Sequence, residues 1–397
     1  MESSKVYQYY NCWILRSGQL QKEELWIRNG KVVDPQVLFF EEKVTADHKI
    51  DCKNTILAPG FIEVQINGGF GYDFSTPLDT KKGVDAVAKG LLSQGVTSFC
   101  PTLVTSAPDI YKQIIPLIEK TRGSKKGAGV LGVHVEGPFI SKNKKGAHPE
   151  HLIKDFDGGM KELEDTYGDL HNITLITLAP EKKQTKQVIE GLCNKGVTVS
   201  VGHSMANLEE GEAAVNSGAK FITHLFNAML PFHHRDPHLV GLLTSDKLEK
   251  KSIYYGIIAD GIHTHPAALR IAHRVNPKGL VLVTDAIQAM GLPAGTYLLG
   301  EHKVVIEGMQ SVVEGTNTLA GSIATMDYCV RHFVKETNCG SVFALEAASL
   351  HPAEMLGIAD QKGTLKFGAD ADFVMLDEEL NVLATYIAGE CVFKTDN

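Results

Sequence analysis

The sequence predicts an α/β protein: a (β/α)8 barrel of the TIM type with a small β-sandwich domain built from both chain ends. Three observations carry this expectation. From Gly60 onward short apolar strand candidates recur eight times, helical patterns lie between most of them, and the residues before and after this alternating stretch read as strands and turns alone. The expected bounds are 58–358 for the barrel, with 1–57 and 359–397 as the two parts of the sandwich.

Each segment has its own signal. Residues 6–15, 25–28 and 31–33 read as strands, and Asn29-Gly30 between apolar runs is a hairpin turn. The barrel strands are expected at 61–66, 97–100, 130–135, 173–178, 197–202, 220–223, 253–258 and 280–284. Helical patterns fall at 80–94, 107–120, 183–195 and 208–217. An open doubly wound sheet is the alternative, and the count of eight strands with no GxGxxG after the first disfavours it. Residues 363–394 return to strand-and-turn texture. Chain termini commonly lie close together, so the two β-rich ends are expected to pair into one small domain.

The 397 residues, 43% hydrophobic and 22% charged, describe an ordinary globular chain with enough apolar material for a sizeable core. A net charge of −8 and a pI near 6.1 argue against nucleic acid as a partner, and the lysines of 142–145 read as a solvated loop. The seven cysteines are scattered, odd in number and never spaced as CxxC, which fits reduced thiols in a cytoplasmic protein. The sequence has no signal-peptide pattern at its start and no apolar run long enough for a membrane span, so neither secretion nor membrane insertion is expected.

The candidate chemistry lies at strand ends. The third strand runs into Glu136, the fifth delivers His203 and the sixth His224. A carboxylate closing a buried strand needs a cation, a proton or hydrogen-bond donors around it. Taken alone, each of these residues is more often structural than a ligand: an ion pair or helix-cap contact for the glutamate, a satisfied structural imidazole for each histidine. Together, Glu plus two His is a catalytic zinc set, in which three protein ligands leave one position open. Imidazole also suits iron, cobalt and nickel. Active sites of barrels sit at the carboxyl ends of the strands, where this chain also aims Gln65, Asn67, Asp260, His263 and Asp285. An Asp ending the last strand is placed to carry a proton from an attacking water to a leaving nitrogen. A helix N-cap is the plainer reading of Asp285.

These residues belong to longer motifs: APGFIEVQING from Ala58, HVEGPF from His134, KGAHP from Lys145, GHS from Gly202, THLFNAM from Thr223, ADGIH from Ala259, TDA from Thr284, LAGS from Leu319 and GTLKFGADAD from Gly363. In them the chain resembles the N-acetylglucosamine-6-phosphate deacetylases of the amidohydrolase superfamily over nearly its whole length. Many members of that superfamily carry HxH on the first strand and hold two metals. Here that position reads Gln65-Ile66-Asn67, and amides are poor ligands for a transition metal, so the resemblance implies the single-metal type.

The resemblance further implies that Glu136, His203 and His224 hold one divalent ion, most simply zinc, with Asp285 as acid/base. It implies that His263 hydrogen-bonds the acetyl oxygen. Ala147, Asn227, Ala228, Gly261, Ile262, His263, Thr264, Leu319, Ala320 and Gly321 match segments that line the sugar pocket. Arg235 matches a phosphate-binding arginine that reaches into the neighbouring subunit of a homodimer, and a guanidinium suits bidentate phosphate contact. The implied reaction is hydrolysis of the acetamide of N-acetyl-D-glucosamine 6-phosphate to D-glucosamine 6-phosphate and acetate. Two alternatives stay open: a single-metal amidohydrolase acting on a cyclic amide or N-acyl amino acid, and a non-catalytic scaffold.

Overall fold

The computed structural model describes residues 5–248, 253–299, 302–316 and 319–396. Its centre is a parallel barrel whose strands we number β1 Phe61–Ile66, β2 Val96–Leu103, β3 Val133–Glu136, β4 Ile173–Leu178, β5 Thr198–Val201, β6 Phe221–Ile222, β7 Tyr254–Ile258 and β8 Leu280–Val283. Consecutive strands from β1 to β8 pair in parallel. The third strand is split: Gly129–Val130 pairs with β2 first, and Gly132, at a φ of 121°, breaks the run before β3. No ladder joins β1 to β8 among the described residues. There the barrel closes through single main-chain bonds from Asp285 N to Gln65 O at 2.9 Å and from Asn67 N to Ala286 O at 2.8 Å.

The helices follow the apolar periodicity. Thr80–Leu91 buries Val84, Val87, Ala88 and Leu91 against the strands, spacings of three and four that keep one face inward. Leu208–Asn216 begins with a reciprocal capping box between Asn207 and Glu210. The helix expected over 107–120 is shorter, Pro108–Ile114, because Pro116 has no N–H to continue it. After β6, among the described residues, a 3-10 turn, His238–Leu243, stands in place of a helix.

Two features behind β8 have no counterpart in the sequence reading. Gly295–Leu299, His302–Glu307 and Gln310–Val313 form an antiparallel three-stranded sheet. Met326–Thr337, Ser341–Ala347 and Leu350–Leu356 are helices, and the last sends Ala353 and Met355 into a buried cluster with Ile62, Val64, Leu175, Phe221, Ile258, Val281 and Val283. That cluster fills the barrel, as this architecture requires.

The two chain ends meet in one eight-stranded sheet, where Ile56–Pro59 pairs antiparallel with Phe373–Leu376 and parallel with Val6–Arg16. Its buried cluster includes Tyr9, Phe373 and Tyr386, with the last two rings stacked at 4.3 Å. Lys362 lies between Asp370, at 3.0 Å, and Asp372, at 2.6 Å, while Lys31 reaches Asp370 at 2.6 Å. These pairs tie the two ends together beside the barrel.

Candidate metal centre and active site

Glu136, His203 and His224 arrive from β3, β5 and β6 and converge at the rim of the barrel. Glu136 Oε1 lies 3.1 Å from His203 Nε2 and 3.1 Å from His224 Nε2, and the two imidazole nitrogens are 3.1 Å apart. All three side chains are buried. His203 and His224 each take a positive φ, 48° and 27°, at the point where their strand stops. Such a backbone is costly for a non-glycine residue and persists only when the surroundings hold it, which is typical of functional sites. After Glu136 the chain turns away at Gly137, φ 80°, where a Cβ would lie 2.2 Å from Thr105 Oγ1.

The donor set fits a divalent cation. Ligands about 2.0 to 2.1 Å from a tetrahedral ion stand about 3.3 Å from one another, close to the observed triangle. His203 Nδ1 donates to Lys144 O at 2.8 Å, which leaves the Nε2 lone pair facing the centre. Burial opposes a charge on His224, but the Glu136 carboxylate outweighs it and raises the imidazole to about 9. Burial likewise opposes the charge on Glu136, and the two histidines overcome it, holding the carboxyl well below its ordinary range.

Asp285 follows β8, also at a positive φ, 48°. Its Oδ1 accepts a hydrogen bond from Asn67 Nδ2 at 2.7 Å. Burial first, then the neighbouring Glu136 carboxylate, raise its pKa to about 6 despite that bond. Gln65 Nε2 donates to Glu136 Oε1 at 3.1 Å. The amides of Gln65 in β1 and Asn67 just after it therefore donate to carboxylates, and their own oxygens, Gln65 Oε1 and Asn67 Oδ1, are buried with no partner among the described residues. Two residues earlier, Glu63 is fully buried, and burial raises it to about 8 although it accepts main-chain hydrogen bonds from Gln65 N at 2.9 Å and Thr284 N at 3.0 Å.

His263 stands across the cleft. Its Nδ1 lies 2.5 Å from Asp260 Oδ2, and Asp260 Oδ1 accepts both the Ile262 and the His263 main-chain N–H at 2.8 Å. Burial works against a charged His263, and the Asp260 partner overrides it, raising the imidazole above its ordinary value. His148 Nδ1 lies 2.8 Å from Thr105 Oγ1 and accepts Thr105 N–H at 3.2 Å, with its ring edge-on to His203. Burial lowers it to about 3, so it stays neutral.

These groups open onto a cleft of about 390 Å3. Its lining includes Glu136, His203, His224, Asp285, His263, Ala147, Asn227, Ala228, Leu319, Ala320 and Gly321 from the sequence-derived set. Gly261, Ile262, Thr264 and Arg235 do not line it. Thr264 is buried behind the loop, Gly261 packs toward His332, and Arg235 lies exposed in the loop after β6. The sequence reading passed over His148, Asp73 and Glu63. His148 directly follows Ala147 in KGAHP, and Glu63 precedes Gln65 by two positions, so a period-two reading of β1 could have singled it out.

The chain belongs to the amidohydrolase family, whose model matches residues 56–392. It is 58% identical over 397 residues to the N-acetylglucosamine-6-phosphate deacetylase of Danio rerio, covering 99% of this chain and 98% of that one. The N-acetylglucosamine-6-phosphate deacetylase of Homo sapiens is also 58% identical, over 99% of this chain and 97% of its own length. Among solved structures, a mutant N-acetyl-D-glucosamine-6-phosphate deacetylase of Mycobacterium smegmatis in complex with N-acetyl-D-glucosamine-6-phosphate aligns with a TM-score of 0.81 at 30% identity. That alignment covers 99% of this chain and all of the other.

Proposed function

We propose that this chain hydrolyses the acetamide of N-acetyl-D-glucosamine 6-phosphate, releasing D-glucosamine 6-phosphate and acetate. The observation that carries the reading is one cleft in which a Glu-His-His triangle with 3.1 Å edges opens beside the Asp285 carboxylate. Identity of 58% to curated deacetylases over nearly the full length supports the substrate.

Glu136, His203 and His224 would hold one divalent ion. Zinc suits two imidazoles and a carboxylate, and iron, cobalt or nickel would be accepted by the same donors. When bound, such an ion supplies Lewis acidity, acidifying a water and polarising the acetyl carbonyl. The remaining work belongs to side chains. Asp285 has Oδ1 committed to Asn67, so Oδ2 takes the proton of the attacking water and returns it to the departing amine nitrogen. His263 Nδ1 donates to Asp260, and in the protonated form favoured by that partner its Nε2–H donates to the acetyl oxygen as charge develops there. Asn227, Ala228, Ala147 and the 319–321 segment wall the sugar.

Arg235 lies outside its own cleft, and its exposure suits delivery of a guanidinium to the substrate phosphate of a neighbouring copy. We therefore take the working form as a homodimer. Seven scattered cysteines, never spaced as CxxC, suit a reducing compartment, and on that ground we place the enzyme in the cytoplasm. The test is metal analysis of purified protein together with acetate release from the phosphorylated and unphosphorylated sugars. About one ion per chain and strong preference for the phosphorylated sugar are expected, whereas equal rates on both would overturn the substrate.

A further inference from the structure

We propose that Glu63 is a positioning residue for Asp285: its buried carboxyl group clasps the seam between the first and last strands of the barrel and fixes the backbone that carries the acid/base. The inference rests on the reading above, in which Asp285 moves the proton.

The seam is where the barrel lacks a ladder. Near its lower end Ile62 N donates to Ala348 O at 2.9 Å, and Leu280 O pairs with His351 Nδ1 at 2.6 Å, so a helical segment lies between β1 and β8 there. At the rim the two strands meet through Asp285 N to Gln65 O and Asn67 N to Ala286 O. Between these levels β8 has ended at Val283, and Thr284 N–H has no ladder partner among the described residues.

Glu63 Oε2 accepts that N–H at 3.0 Å, and Oε1 accepts Gln65 N–H at 2.9 Å. A buried main-chain donor without a partner is rare, and a fully buried carboxyl is rarer still unless its lone pairs are used. Each satisfies the other.

The two amides held this way flank the chemistry. Thr284 immediately precedes Asp285, whose left-handed φ of 48° has to be enforced by its surroundings. Gln65 is the residue whose side chain donates to the Glu136 ligand and whose carbonyl accepts Asp285 N–H. Glu63 does not line the cleft, so it acts through these neighbours and touches no substrate. A glutamine in its place would turn an NH2 toward one of the two N–H donors in either orientation. An aspartate would be too short to reach both.

The experiment compares Glu63→Gln and Glu63→Asp with wild type by amide hydrogen exchange, metal content and steady-state acetate release. Thr385→Val serves as a control. It removes an equally buried hydrogen bond, Thr385 Oγ1 to Leu92 O at 2.7 Å, between the small sheet and the end of the helix Thr80–Leu91. The proposal expects Thr284 amide exchange to rise about tenfold or more in Glu63→Gln while the amides of Leu175 and Val199 stay protected. It expects kcat to fall about tenfold or more with KM within about twofold and metal content unchanged, and kcat of the control to stay at the wild-type level. If Glu63→Gln does not fold, Glu63→Asp carries the same expectations.

Unchanged exchange at Thr284 would overturn the clasp. Loss of kcat no larger than in a control of matched stability, or loss that follows metal content, would overturn the positioning role. The exchange measurement needs no turnover. Wild-type protein that releases no acetate would therefore remove the deacetylase reading while the clasp is still decided by exchange.

Discussion

Asn67 Nδ2 donates to Asp285 Oδ1 at 2.7 Å, joining the first barrel strand to the end of the last across 218 positions of chain. The direction of this bond fixes the amide: a flipped Asn67 would set its oxygen against a carboxylate. The same bond leaves one Asp285 oxygen free to face the cleft, and it stabilises the ionised form against burial.

Removing that bond should move the acidic limb of activity. Asp285 works as a base when ionised, so activity is present above its pKa and is lost as pH falls through it. Burial and Glu136 raise that pKa to about 6, and Asn67 pulls it down. Asn67→Ala should shift the acidic limb of kcat/KM to higher pH and depress kcat about 10-fold or more at neutral pH. A pH profile of acetate release that superimposes on the wild type would contradict this.

Asp285→Asn removes the proton acceptor while keeping the shape and the hydrogen-bonding reach of the side chain. Turnover should fall about 100-fold or more, with metal content and melting temperature near the wild-type values. Substantial retained activity would rule out the proton-transfer role.

Metal uptake by metal-free protein should release a proton. With its folded pKa raised to about 9 from 6.5, His224 lends the metal-free state stability that is whole below the ordinary value and is lost as pH rises through about 9. Within that window an incoming cation displaces the proton shared with Glu136. Calorimetric titration in buffers of different ionisation enthalpy should give about one proton released per ion near pH 7.5, and fewer above pH 9. A count near zero at neutral pH would mean that the triangle is held some other way.

Arg235→Ala should raise KM for the phosphorylated sugar about 10- to 100-fold, the worth of a charge-assisted pair, and leave the slow rate on the unphosphorylated sugar unchanged. Equal effects on both would place the arginine's contribution elsewhere than on phosphate.

Lys362→Met should destabilise the protein by about 3 kcal/mol, because it strands the buried Asp372 without its cation. Thermal melts should show a Tm lower by several degrees, with kcat of the remaining folded protein intact.

Much of this molecule was legible in advance, and for a local reason. A strand announces itself by a short run of apolar side chains, and the residue where the run stops is the one the barrel presents at its rim, so Glu136, His203, His224 and Asp285 could be read directly. The inserted sheet over Gly295–Val313 escaped because its strands are short and half exposed, with no long apolar run. The helices after β8 escaped because the barrel count was already complete. His148 escaped because no local pattern marks it; the contacts with Thr105 and His203 that single it out come from distant strands.

The sequence alone determined which chemical groups are available and on which strand each rides, because periodicity and strand ends are properties of neighbours along the chain. Tertiary structure decided how they meet: a triangle with 3.1 Å edges, a carboxylate oriented by an amide 218 positions earlier in the chain, and a buried glutamate bridging a seam. Those relationships depend on where the barrel closes and which groups are shut away from water. Both follow from the packing of distant strands, which no local pattern encodes.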